Sequence, residues 1–168
     1  MLGKTVRAEL AWFTPGPTTD PDRSTHTPGG SSSGAAASIS SGVVDGALGS
    51  DTGGSIRCPA AFCGAAALKP SYGLLSRHGL ADLSMSLEGP APMARDVETL
   101  TRMLVALAGL QPCAVPEPRR FGVPAELLEG LAPADEGRVR ADLRNLEARG
   151  PPAVPPSTPP LHPPLASS

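Results

Sequence analysis

The residues of this chain best suited to chemistry are two serines framed by glycines. Residues 29–37 read Gly-Gly-Ser-Ser-Ser-Gly-Ala-Ala-Ala and residues 48–59 read Leu-Gly-Ser-Asp-Thr-Gly-Gly-Ser-Ile-Arg-Cys-Pro, which sets Ser31 and Ser55 24 positions apart. Glycine has no Cβ, so a substrate can approach such a loop closely, and the backbone can turn sharply enough to present a hydroxyl beside free N–H groups. In the run Asp51-Thr52-Gly53-Gly54-Ser55, consecutive N–H groups can form a concave nest for a developing oxyanion while Ser55 supplies the attacking oxygen. A serine hydroxyl needs a base to remove its proton. No Gly-x-Ser-x-Gly elbow and no neighbouring histidine offers one, which leaves Ser31 as the local partner of a hydrolytic site.

Both segments closely resemble the amidase signature family, whose pattern is Gly-Gly-Ser-Ser-Gly-Gly, a small-residue helix, and Gly-Ser-Asp-Thr-Gly-Gly-Ser-Ile-Arg-x-Pro-Ala. The order, most of the glycines and the spacing of the serines are reproduced, with Ser33 standing where the pattern has glycine. Members of that family cut amide bonds with a serine, a second serine joined through a cis peptide bond, and a lysine. The resemblance implies that Ser55 is the acylated nucleophile, Ser31 the cis-serine that relays its proton, and Thr52, Gly53 and Gly54 the oxyanion-hole backbone. Asp51 and Arg57 read instead as structural support, an ion pair bracketing the loop without touching substrate.

The stretch from Leu68 to Leu80, Leu-Lys-Pro-Ser-Tyr-Gly-Leu-Leu-Ser-Arg-His-Gly-Leu, is similar to one branch of that family, the A subunits of glutamyl-tRNA amidotransferases, which release ammonia from glutamine. Phe121-Gly122-Val123-Pro124 and the helical run ending at Gly150 resemble a later segment of the same branch. This implies glutamine as substrate, amidotransferase B and C subunits as partners, and tRNA reached only through a partner. No cofactor is expected in this chain; ATP and Mg belong, by the same resemblance, to the partner subunit. Other amidase signature hydrolases share the two serine loops and are set apart by residues 69–80.

The family's general base is a lysine upstream of the first serine loop, and Lys4 aligns instead with a Gly-Lys-Thr stretch lying between that lysine and the cis-serine. The expectation is a chain truncated at both ends. Lys69 could be a substituted base, although a solvated or sheet-end lysine is the commoner arrangement. General-base assistance is worth roughly 10²–10⁴ in rate, so little or no turnover is expected from the chain alone. A non-catalytic truncated isoform or pseudo-enzyme is the alternative.

Composition sets further bounds. With 21 prolines, 19 glycines and 3% aromatic residues in 168, few large side chains are available for a core. A net charge of −2 gives no basic face for nucleic acid. Cys58, Cys63 and Cys113 are an odd, irregular set, which fits a reducing or matrix-like compartment better than a disulfide scaffold, and neither they nor the three histidines have metal-ligand spacing. No 18-residue apolar run suggests membrane insertion. Residues 76–80 and 86–90 look like mitochondrial members of the family, pointing to the mitochondrial matrix, with a bacterial cytoplasm as the alternative.

These residues need a scaffold, and the pattern predicts an α/β chain: a partial amidase-signature fold with a mixed sheet and helices on both faces. Residues 1–27 read as a largely irregular remnant in which residues 4–12 can form a short helix or strand, 28–150 as a partial signature domain, and 151–168 as a disordered tail holding eight prolines. Residues 34–44 suit a buried helix, and 47–49 a short strand delivering the second serine loop at its end. Asp96 caps a helix to Ala108 with Val97, Leu100, Leu104 and Leu107 on one stripe. A further helix covers 133–149, with Val139, Leu143 and Leu146 in a narrow stripe and Gly150 as its stop.

Overall fold

A computed structural model describes residues 2–8, 14–81, 83–110, 121–124, 126, 128–149 and 153–154. The chain divides into two compact units, Met1–Pro112 and Cys113–Ser168, the break falling inside the stretch read above as one domain.

The first unit is organised by a strand that carries prolines. Strand β1 (Gly46–Asp51) and the two-residue β2 (Ala66–Ala67) flank β3 (Gly89–Ala94), antiparallel on both sides. Pro90 and Pro92 sit in this central strand, where a missing N–H would ordinarily break a ladder. Alternate residues of a strand address opposite neighbours, and the Pro92 carbonyl accepts from Leu68 N–H at 3.2 Å on the β2 side. Both prolines therefore address β2, which pairs for only two residues, while the β1 side keeps an uninterrupted register from Gly46↔Ala94 to Asp51↔Gly89.

Helices cover both faces of this sheet, as expected. A Cβ on Gly46 would run into the Met103 sulfur of helix α3 (Val97–Ala108), whereas a Cβ on Gly49 would lie 2.7 Å from both Ile56 Cδ1 and Ser32 Oγ. Positions three apart in a strand point to opposite faces, so α3 lies on one side and the two serine loops with α1 (Ser33–Ser40) and α2 (Arg57–Phe62) on the other. The core between α1, α2 and the sheet is built from Ala36, Ile39, Ile56, Ala60, Cys63, Ala91 and Met93, small residues that match the scarcity of aromatics.

Helix α3 starts and stops where its sequence signals lie: the Asp96 carboxylate accepts from Thr99 N–H at 2.7 Å, and Gly109 closes the helix in the left-handed region. Of its apolar stripe only Leu100 is buried, and Val97 is 69% exposed. Helix α1 is shorter than the predicted 34–44, because the Ser38 hydroxyl turns back onto the Gly34 and Ala35 carbonyls and Gly42 takes φ 74°. Residues 2–8 form neither regular helix nor strand, yet they run alongside the first serine loop: Gly34 N–H donates to the Val6 carbonyl at 2.8 Å and Ala8 N–H to the Ser31 carbonyl at 2.9 Å.

In the second unit, β4 (Phe121–Gly122) pairs in parallel with β5 (Ala153–Val154), and α4 spans Pro133–Arg149 as its periodicity predicts. Apart from Ala153 and Val154, the proline-rich tail lies outside the described residues, as do Trp12, Cys113 and Gly150. No helix among the described residues is long and apolar enough to cross a membrane.

Candidate active site

The two serine loops meet. Ser32 N–H donates to the Ser55 carbonyl at 3.0 Å, so backbone joins backbone between positions separated by more than twenty residues of chain. Ser31, which is 2% exposed, and Ser55 line one cavity of about 150 Å³ together with Ala8, Gly16, Thr27 and Ser33 among others. The Gly30–Ser31 peptide is cis, a feature the sequence does not declare at either peptide flanking Ser31.

Inside this cavity polar atoms are left over. The hydroxyls of Ser31 and Ser33 are buried with no hydrogen-bond partner, and a buried hydroxyl without a partner is disfavoured unless a ligand or water completes it. Neither Lys4 nor Lys69 lines the cavity, and neither do His26 and His78. His162 lies outside the described residues.

The second loop is held by Asp51, whose side chain is fully buried. One carboxylate oxygen accepts from Gly54 N–H at 2.9 Å and Arg57 Nη2 at 2.9 Å; the other accepts from Ile56 N–H at 3.2 Å and Arg57 Nε at 3.0 Å. Burial by itself would push the Asp51 carboxyl up, but the Arg57 hydrogen bonds and the two amides outweigh it and hold it below the usual range. Arg57 is half exposed, so this is a buried carboxylate capped by a guanidinium that reaches water.

Thr52, Gly53 and Gly54 do not line the cavity. The Gly54 N–H is directed to Asp51 instead, and its φ of 126°, with a would-be Cβ only 2.8 Å from Cys58 Sγ, makes glycine necessary there. Of the thiols, Cys58 is exposed and Cys63 buried, both free; burial, reinforced by Asp20 and Asp22, pushes the Cys63 thiol up. No cluster of His, Cys, Asp or Glu among the described residues could hold a metal ion.

One participant escaped the sequence reading. Glu88 is 1% exposed and accepts from Leu83 N–H at 2.5 Å. Burial raises its carboxyl, but the hydroxyls of Ser50 and Thr52, the Leu83 amide and the charge of Arg7 together hold it below the usual range. Residues 86–90 read only as a family resemblance, and nothing local gives Glu88 a role; only the β1–β3 pairing brings it to the loop.

Several known proteins are similar to this chain over most of its length. The chain is 44% identical over 175 aligned positions to the A subunit of the glutamyl-tRNA(Gln) amidotransferase of Methanospirillum hungatei, covering 92% of this chain and 41% of that protein. It is 43% identical over 162 positions to the protein of the same name from Natronomonas pharaonis, covering 82% and 38% respectively. Among solved structures, the corresponding Thermotoga maritima protein superposes with a TM-score of 0.76 at 32% identity, over 90% of this chain and 38% of that one. The native peptide amidase of Stenotrophomonas maltophilia superposes equally well, TM-score 0.76 at 30% identity over 91% and 38%. The chain thus spans about two fifths of the length of the relatives it matches. A family model described as Amidase matches residues 3–166, nearly the whole sequence. By that match and these relatives, the chain belongs to the amidase signature family.

Proposed function

We propose that this chain carries the serine chemistry of a glutamine amidohydrolase, the ammonia-releasing component of a glutamyl-tRNA(Gln) amidotransferase. The observation that carries the reading is the shared cavity: Ser31 and Ser55 line it from two loops that the Ser32-to-Ser55 backbone hydrogen bond fastens together. Ser55 Oγ attacks the carboxamide carbon and the tetrahedral intermediate expels ammonia. The acyl-enzyme is then opened by water to give glutamate. Ser31 Oγ, buried and without a partner, passes the proton from Ser55 toward the leaving nitrogen. The amides of Thr52 and Gly53 receive the oxyanion, while the Gly54 amide stays with Asp51. Asp51 and Arg57 keep the loop in shape and stay clear of the substrate. Partner subunits of the B and C type take up the ammonia and handle the tRNA.

Among the described residues, no group lining the cavity can serve as general base, which favours a second reading, a non-catalytic member of the family. Two measurements separate them. A fluorophosphonate probe with peptide mapping is expected to modify Ser55 and nothing in Ser55→Ala; modification elsewhere, or none, removes the nucleophile assignment. Ammonia release from glutamine by the chain alone is expected to stay at background, because a general base is worth roughly 10²–10⁴ in rate. Turnover that disappears in Ser55→Ala would show that the chain holds a base of its own.

A further inference from the structure

Glu88 is a buried carboxylate that no step of the proposed chemistry uses. The β1–β3 register ends at Asp51↔Gly89, so one step along the same ladder sets Glu88 across from Thr52. Two-residue alternation puts Ser50 on that same face and Asp51 on the opposite one. The side-chain bonds follow this placement. Ser50 and Thr52 thus present their hydroxyls on the face of the buried Glu88 carboxylate and help hold it below the usual range, while Asp51 takes the amides of Gly54 and Ile56. Glu88 also accepts Leu83 N–H, which ties it to the loop preceding β3. The segment leading to Ser55 is therefore gripped from its two faces, by its hydroxyls on one and by its amides on the other. A buried carboxylate persists only where donors surround it, and those donors are fixed in return.

We propose that Glu88 is a positioning residue for the serine loop, anchoring Ser50 and Thr52 and thereby setting the direction of the main-chain amides beside Ser55 without touching substrate. The anchoring rests on the β1–β3 register, the burial of Glu88 and its bond from Leu83 N–H; its consequence for rate rests on the reading of Ser55 as nucleophile.

The test compares the full chain with Glu88→Gln and Glu88→Asp by amide hydrogen exchange and by the rate of Ser55 modification with a fluorophosphonate. Peptides covering residues 50–55 are expected to exchange about tenfold faster in Glu88→Gln, the equivalent of one lost charge-assisted hydrogen bond, and modification to slow by about the same factor. Peptides from α3, which follows the far end of β3 from Glu88, should exchange as in the parent. Glu88→Asp, which keeps the charge one methylene back, should recover part of both effects and carries the comparison if Glu88→Gln does not fold. Parent-like exchange at residues 50–55, or loosening that reaches α3 equally, overturns the proposal. Should the parent itself resist modification at Ser55, the catalytic reading falls, and exchange still decides the role of Glu88.

Discussion

Replacing Asp51 by Asn tests how the serine loop is held. The substitution preserves shape but exchanges one acceptor oxygen for an NH₂ group and removes the charge. One carboxylate oxygen accepts Gly54 N–H at 2.9 Å and Arg57 Nη2; the other accepts Ile56 N–H at 3.2 Å, the Arg57 backbone N–H at 3.4 Å and Arg57 Nε. Whichever way the amide settles, one of those backbone donors then faces another donor. Ile56 and Gly54 are both buried, so water cannot replace the lost acceptor without opening the loop. A buried donor left unsatisfied costs about 1–3 kcal/mol, and the retained bonds weaken as the acceptor loses its charge. The ion pair adds little, since Arg57 is half exposed and its guanidinium can be solvated. The expected loss is about 2–4 kcal/mol, a large share of a typical stability of about 5–15 kcal/mol. Urea unfolding followed by far-ultraviolet circular dichroism measures it directly. A change below about 1 kcal/mol at unchanged m would show that the carboxylate is not what satisfies those amides.

Two further outcomes follow from the same packing. Gly49→Ala places a methyl 2.7 Å from both Ile56 Cδ1 and Ser32 Oγ, driving the strand and the first serine loop apart; a destabilisation of about 1–3 kcal/mol is expected in thermal or urea melts, and a neutral result would mean the loops are not in close contact with β1. Asp51 and Glu88 both have carboxyls held below their ordinary values of 3.8 and 4.5, so the stability they lend is complete above those values and is lost as pH falls through the lowered ones. Acid titration of the urea midpoint should therefore decline below about pH 4, less steeply in Asp51→Asn, and an identical slope in the two proteins would exclude Asp51 as a contributor.

Local signals did well where the physics is local. Asp96 as N-cap, the end of α3 at Ala108 and the span of α4 were legible because caps and periodicity act within a few residues. Helix α1 ended early because Ser38 bonds back to its own turn and Gly42 takes a positive φ, a competition that small-residue composition does not reveal. The strand at β1 was legible, whereas the proline-bearing β3 was not, since prolines argue against a central strand until it is known that both face the short β2.

From sequence alone came the two serine loops, their spacing and the acid–arginine bracket, because glycine framing and an Asp six residues before Arg are properties of the chain itself. Tertiary structure decided which hydroxyls share a cavity, that the Gly54 amide turns to Asp51, and that Glu88 stands behind Thr52. The last of these depends on how β1 and β3 register across nearly forty residues of intervening chain, and no local propensity encodes that register.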